Sequence, residues 1–418
     1  MSHSSALLPL LPDTAEIRDG VLWIGGCSTV ELAEEHGTPL VAYCEETIRN
    51  AARAWRRGAG EGTVVYGTKA FPNVPIMKIL WEEGIGADVS TLGEMTYAEA
   101  AGIPPSSWVV HGNNKSDEEL RFAAEQDAWL VVMDEPGEVE RCVEFGVKRV
   151  LLRITPGIEA GGHEKIRTGH LGSKFGVLQE DAVDVIRRAR DAGLEMVGLH
   201  VHLGSQVVND APVRVLVEWL AGWCGELRVE LDWTPVILNL GGGLGIRYTQ
   251  EDPAPPRPDE YAATLTERVQ QAWLLQDLPQ PRLIFEPGRS LVGRAGLTLY
   301  RVGVVKRSGE TTWVAIDGGM SDNPRPALYG ARYSALLANR GAEPATGAFV
   351  VCGKHCESGD VLIERAELPE PARGDCLAVP ATGAYTLAMS SNYNALERPS
   401  AIVVGHGGAS AIRAREAA

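Results

Sequence analysis

Lys69 closes an apolar, β-branched run in Tyr-Gly-Thr-Lys-Ala, after Val64 and Val65. At the mouth of a barrel a lysine is partly desolvated, which lowers its pKa and favours attack of the free amine on a carbonyl. The plain alternative is a surface charge. Glu286-Pro-Gly-Arg289 puts a carboxylate and a guanidinium just past another apolar run. A carboxylate facing a pyridine-type nitrogen keeps it protonated and makes such a ring an electron sink, whereas in isolation the pair reads equally well as a surface ion pair. His200 and His202 flank Val201, a spacing that sends both imidazoles to one side of a strand. They also permit a metal pair, with His111, Asp88 and Asp134 as further ligands. Val236-Ile-Leu-Asn-Leu-Gly-Gly-Gly-Leu-Gly-Ile246 runs an apolar strand into a glycine cluster. Glycines there let backbone N–H groups converge on an anion, or let a turn pack tightly. The spacing is neither a Walker A loop nor GxGxxG. Cys352-Gly-Lys-His-Cys356-Glu-Ser-Gly-Asp360 has no second ligand pair for a closed zinc site, so Cys356, beside His355 and Glu357, reads as a proton donor.

These residues need elements to present them. Eight short apolar runs alternate with charged segments of helical period: 63–69, 86–90, 108–112, 129–134, 149–155, 196–203, 236–241 and 283–286. Eight βα units over about 250 residues predict a (β/α)8 barrel, whose strand ends open on one face. A doubly wound open sheet is the structural alternative. Lys69, Asp88, His111, Asp134, Arg153, His200, His202, the triple glycine, Glu286 and Arg289 all fall where strands stop. Beyond residue 290, runs at 298–306, 312–316, 348–352 and 376–379 predict an antiparallel β domain, to which 17–24 adds a strand or two. The expected organisation is 1–42 joined to the β domain, 43–290 as barrel, and 291–418 as the β domain.

Composition narrows the partners. The 418 residues, 44% hydrophobic and 22% charged with 47 Gly and 25 Pro, fit a folded chain of two domains. With 39 Lys+Arg against 55 Asp+Glu the formal charge is -16, and no long basic run offsets it, so nucleic acid and anionic membrane are poor partners. No apolar stretch reaches the roughly 18 residues of a membrane span. Residues 1–12 carry no Lys or Arg ahead of their ALLPLL patch and do not read as a signal peptide. Seven scattered cysteines fit a reducing, cytoplasmic compartment, with Cys27, Cys44, Cys142 and Cys224 as core fillers.

Together the motifs resemble the fold-type III pyridoxal phosphate decarboxylases, the alanine racemase-like architecture of a barrel plus a β domain. The matching segments are Tyr66-Gly-Thr-Lys-Ala70, His111-Gly-Asn-Asn-Lys-Ser116, Ser173-Lys-Phe-Gly176, His200-Val-His-Leu-Gly-Ser-Gln206, the triple glycine, Glu286-Pro-Gly-Arg289, the run from Met320 to Tyr329, Cys356-Glu-Ser-Gly-Asp360 and Gly383-Ala-Tyr385. The Met320–Tyr329 and Cys-Glu-Ser-Gly-Asp stretches favour the branch that acts on meso-2,6-diaminopimelate. The alternative is a decarboxylase of ornithine, arginine or carboxynorspermidine.

The resemblance implies pyridoxal 5'-phosphate carried on Lys69, with His202 against the ring and Glu286 at the pyridine nitrogen. The phosphate would sit among Ser205, Gly241, Gly242, Gly243, Gly288, Arg289 and Tyr385, with Pro287 in the same turn. Cys356 would protonate the product carbon, and no metal is implied. Arg289, Arg325, Tyr329, Glu357 and Tyr385 would bind the substrate, which is decarboxylated at its D-centre to give L-lysine and CO2. The family also implies a homodimer with shared active sites, Cys356 reaching the partner subunit. Two stretches depart from the family pattern, Asp134-Glu-Pro-Gly and Ala160-Gly-Gly-His-Glu-Lys.

Overall fold

The computed structural model describes residues 7–156, 173–202, 204–209 and 211–416, so the Ala160-Gly-Gly-His-Glu-Lys stretch lies outside the described residues. The chain divides into two units. One takes Ala51–Gly245 and Pro255–Gly288; the other takes Met1–Asn50, Ile246–Ala254 and Arg289–Ala418.

The first unit is a closed parallel barrel. Its strands are Thr63–Gly67, Gly86–Val89, Trp108–Val110, Leu130–Met133, Arg149–Thr155, Glu195–His200, Ile237–Asn239 and Arg282–Phe285. Each pairs in parallel with the next in sequence, and the last pairs with the first to close the ring. The sequence dictates this because runs such as Leu130-Val-Val-Met are apolar on both faces, as strands covered by helices must be. Between strands, helix Gln179–Asp191 buries Ala182, Val185, Ile186 and Ala189, an i, i+3, i+4, i+7 stripe. Side chains of Asn73, Thr91 and Ser116 accept from the first-turn N–H groups of the helices that follow three of the strands, fixing short loops at the strand ends.

The strands stop earlier than the sequence suggests, and this moves the polar residues. Lys69 belongs to a 3-10 turn, Thr68–Ala70, rather than to the strand. His111, Asp134, His202, Gly241 and Glu286 follow the last paired residues. A polar side chain aimed at a barrel mouth is best placed where the backbone has left the ladder and can turn.

The second unit is built on a sheet ordered Val361–Leu368, Gly347–Cys352, Thr311–Ile316, Gly296–Ser308, Leu40–Cys44, Ser400–Gly405 and Gly408–Arg413. Most pairings are antiparallel, as expected. Two are parallel: Thr311–Ile316 with Gly347–Cys352, and Leu40–Cys44 with Ser400–Gly405. Long connections between those strands allow it. Leu40–Cys44, fully buried between Gly296–Ser308 and Ser400–Gly405, carried no separate signal because its apolar run abuts helix Glu45–Ala59. Glu16–Arg18 and Val21–Ile24 do form strands, in a three-stranded sheet with Cys27–Ser28. Leu22 and Ile24 pack with Leu40, Leu297 and Leu299 in one core. All seven cysteines are free; Cys44, Cys142 and Cys224 are buried, whereas Cys27 is half-buried.

Two glycines test the barrel packing. A Cβ on Gly198 would lie 1.8 Å from the Ile237 carbonyl oxygen on the adjacent strand, whereas one on Gly222, inside helix Ala211–Leu231, meets nothing within 4 Å. Gly198→Ala should cost about 3 kcal/mol or more, and Gly222→Ala should add roughly 0.5–1 kcal/mol. Thermal unfolding of the two variants checks this; equal midpoints would contradict the strand spacing.

Candidate active site

At the barrel mouth Lys69 Nζ lies 3.0 Å from Asp88 Oδ2, and the lysine side chain is 55% exposed while the aspartate is 1% exposed. Thr68 Oγ1 donates to the Asp88 carbonyl at 2.8 Å, locking the turn that carries the lysine. The amine is therefore paired with a buried charge on a side chain that is about half exposed.

Glu286 is the centre of a buried network. Its Oε1 lies 2.7 Å from His111 Nε2 and 2.6 Å from the donating Asn239 Nδ2; its Oε2 lies 3.3 Å from His200 Nε2. The two imidazole rings meet edge-on, 4.8 Å apart. Burial works against a charge on Glu286, but the facing imidazoles and their hydrogen bonds outweigh it and hold the carboxyl well below the usual range. Burial pushes His200 down to about 4, and it pushes His202 well below the ordinary value, helped by Arg153 and Lys69. Both are neutral near pH 7. The two histidines do not act as a pair: His200 turns to Glu286, while His202 Nδ1 accepts from the Gly242 N–H at 3.2 Å. Nε2 then carries the proton of His202.

The triple glycine forms the tightly packed turn that its spacing allows. A Cβ on Gly242 would lie 2.2 Å from the Glu286 carbonyl oxygen and one on Gly241 2.5 Å from His202 Nδ1, so the turn packs as only glycine can. Two of its N–H groups are already used, Gly241 on Asn239 Oδ1 at 2.9 Å and Gly242 on His202. Of the three, Gly243 alone has no acceptor among the described residues. Ser205 is half-buried in the neighbouring bend, and Pro287 accepts from the Gly67 N–H at 3.1 Å, which with Gly288 ends the barrel unit.

The β unit gathers a second set. Arg325, buried at the start of the short helix Arg325–Tyr329, donates to the Tyr333 hydroxyl and lies 4.5 Å over the Tyr248 ring. Arg289, also buried, donates to the Tyr248 hydroxyl and lies 4.9 Å over the Tyr385 ring. The Tyr248 and Tyr333 rings cross at 80° with centroids 5.3 Å apart. Arg325 has no carboxylate partner among the described residues. Phenol faces stabilise the Arg325 guanidinium without neutralising it. Tyr329 is half-buried at the other end of the short helix.

The Cys356 loop has a buried base and an exposed tip. Asp360 accepts from Met320 N at 2.7 Å and His355 N at 3.0 Å, and its Oδ2 lies 2.6 Å from His355 Nδ1, whose ring stacks on Tyr393. Asn394 Oδ1 accepts from Cys356 N at 2.9 Å. Cys356 and Glu357 project into solvent.

Comparison with known proteins decides the family. The pyridoxal binding domain of the pyridoxal-dependent decarboxylases matches residues 45–293. Diaminopimelate decarboxylase of Synechocystis sp. is 41% identical over 97% of this chain and 91% of its own length. That of Bacillus subtilis is 42% identical over 95% and 93%. The chain belongs to the diaminopimelate decarboxylases. A crystal structure of diaminopimelate decarboxylase from M. jannaschii with L-lysine superposes with a TM-score of 0.88 at 33% identity, over 97% of this chain and 95% of that one.

Diaminopimelate decarboxylases use pyridoxal phosphate, and the residues of the barrel mouth fit it: a lysine amine for its aldehyde and a buried ionised carboxylate for its ring N–H. Sequence reasoning missed His111 and Asn239 as the partners of Glu286. Asn239 had a signal, the one polar residue inside an apolar strand. Tyr248 and Tyr333 had none.

The His200 and Glu286 shifts have consequences for acid stability. The unfolded chain protonates a histidine near 6.5 whereas folded His200 resists until about 4, so stability falls as pH drops through that window. Glu286, depressed below 4.5, contributes stability that is complete above that value and lost only as pH falls through its folded value. His200→Gln should flatten the decline between pH 6.5 and 4 by up to about 3 kcal/mol. Urea unfolding at stepped pH measures it; an unchanged slope would remove His200 as the titrating group.

Proposed function

We propose that the protein decarboxylates meso-2,6-diaminopimelate at its D-centre to L-lysine and CO2, the last step of lysine biosynthesis. The observation that carries the substrate is Arg325, a buried guanidinium on two phenols with no carboxylate partner among the described residues. Diaminopimelate brings a second carboxylate at its distal end. Ornithine, lysine and arginine bring none, and a buried cation left unmatched discriminates strongly against them. The name shared by the relatives supports the same substrate.

Pyridoxal phosphate, when bound, supplies the aldehyde that takes the substrate amino group and the protonated ring that accepts the electron pair left as CO2 departs. Lys69, its amine paired with Asp88, would hold the cofactor through the aldehyde. Glu286, held ionised by His111, His200 and Asn239, would accept from the ring nitrogen. His202, neutral, offers an uncharged face to the ring. Ser205, Gly243, Gly288, Arg289 and Tyr385 would be the residues to hold its phosphate. Gly241, Gly242 and Pro287 shape that turn rather than lend it N–H groups. The bond from the substrate Cα to its carboxylate breaks, and Cys356 Sγ gives the proton that makes the new C–H bond, regaining one from solvent. Arg325 and Tyr329 take the distal carboxylate, and Glu357 the distal ammonium.

Cys356 and Glu357 act in a partner subunit of a homodimer. Their exposure, on a loop whose His355 and Asp360 are buried, supports this reading. Residues 43–290 hold the cofactor, and 291–418, with 1–42 attached, carry the substrate and interface residues. The protein works in the cytoplasm, a reading supported by its free cysteines; among the described residues no helix is long and apolar enough to cross a membrane.

CO2 release with diaminopimelate, L-ornithine, L-lysine and L-arginine in parallel tests the substrate. Turnover of diaminopimelate alone is expected, and turnover of another of the four overturns the reading of Arg325. Arg325→Met should lower kcat/KM for diaminopimelate about 100-fold. Lys69→Ala should abolish activity and the cofactor's visible absorbance. Equal mixing of Lys69→Ala and Cys356→Ala subunits should restore about a quarter of the sites if they are shared in a two-fold dimer. No recovery, with exchange of subunits shown, would place Cys356 in its own subunit's site.

A further inference from the structure

Lys115 is fully buried, and so is its partner Glu138. Lys115 Nζ donates to the Gly112 carbonyl at 2.7 Å and to both Glu138 oxygens at 2.9 Å. Glu138 Oε2 also accepts from Asp134 N at 2.7 Å. The pair therefore ties the loop after strand Trp108–Val110 to the loop after strand Leu130–Met133.

Each loop leads to a residue at the barrel mouth. The Gly112 carbonyl is one peptide beyond His111, which bonds Glu286. Asp134 Oδ2 accepts from Gly176 N at 3.0 Å, and its Oδ1 lies 3.5 Å from Arg153 Nη1. Arg153 in turn lies 4.4 Å over the Phe175 ring. Asp134, a departure from the family pattern at the sequence level, is thus the link through which Glu138 reaches the Ser173–Gly176 turn.

Stability alone is a poor account of this pair. A buried ion pair is commonly no more stabilising than apolar side chains of the same volume, because desolvation offsets the attraction. What an apolar pair lacks is direction: here Lys115 donates to the Gly112 carbonyl, Glu138 accepts from Asp134 N, and two bonds between the side chains hold those backbone groups together. We propose that Lys115 and Glu138 are positioning residues for the decarboxylation, holding His111 against Glu286 and Asp134 against Arg153 and Gly176. The inference rests on the function proposed above. Neither residue touches the reacting atoms.

Glu138→Gln is the informative variant. A carboxylate takes Lys115 on both oxygens and Asp134 N on one; an amide has a single acceptor oxygen, so at least one of these bonds is lost. In the full-length holoenzyme, Glu138→Gln and Lys115→Met should lower kcat by about 10-fold or more, by misplacing His111, with KM for diaminopimelate changed less than about threefold. The acid limb of the kcat profile should move to higher pH, because a loosened His111 lets the Glu286 carboxyl take a proton sooner. His111, His200, Asn239, Asp88, Arg153 and Lys69 all face that region, and neither substitution removes any of them. Glu138→Asp should restore part of the rate.

A merely structural pair would lower the unfolding temperature while leaving kcat per bound cofactor and its pH profile at wild-type values, and that result overturns the proposal. Should Lys115→Met fail to fold, the two Glu138 variants decide. If wild-type protein releases CO2 from none of the four amino acids, the function reading fails instead. The pH titration of bound-cofactor absorbance in wild type and Glu138→Gln then decides this inference: a shift supports it and coincident curves reject it.

Discussion

An ionised carboxylate buried in protein needs donors on every side, and Glu286 sets that requirement for the barrel mouth. Its hydrogen bonds come from His111, Asn239 and His200, on three different strand ends. Those three positions must converge to within hydrogen-bonding distance, so the barrel must close with its strands in fixed register. The parallel ladder does this at the level of backbone. The glycines beside it do the same at the level of shape, since a side chain at Gly242 would strike the Glu286 carbonyl. Charge, register and glycine placement are thus one constraint seen at three scales.

The β unit solves the opposite electrostatic problem. It buries a cation, Arg325, and phenol faces and hydroxyls rather than carboxylates surround it. Aromatic faces stabilise a guanidinium without neutralising it. A carboxylate in the same place would have stabilised the arginine more and left nothing for an anionic ligand. The Cys356 loop is anchored from below, with Asp360 spending its oxygens on Met320 and His355 while the neighbouring Cys356 and Glu357 stay exposed.

What could be read from residues alone follows from the range of the interactions. Lys69, Glu286 and Arg325 were legible because each sits in a compact local pattern of an unusual type. The barrel was legible because its strands are apolar on both faces and evenly spaced. Partners were not: His111 and Glu286 are 175 residues apart, and nothing local to either names the other. The spacing of His200 and His202 suggested a pair, but the strand ends at His200 and the backbone turns, sending the two rings to different partners. The parallel pairing of Leu40–Cys44 with Ser400–Gly405 was illegible for the same reason.

That pairing also sets an order of events in synthesis. The barrel comes almost wholly from one uninterrupted stretch of chain, whereas the β unit draws on three separated ones. As the chain leaves the ribosome, Leu40–Cys44 emerges early but its neighbours, Gly296–Ser308 and Ser400–Gly405, emerge late. For most of translation this apolar strand has both edges bare, the condition in which strands find wrong partners in other chains. The nascent protein is therefore most exposed to aggregation before its final strands are made, and a chaperone that shelters the first fifty residues would matter more than one that assists the barrel.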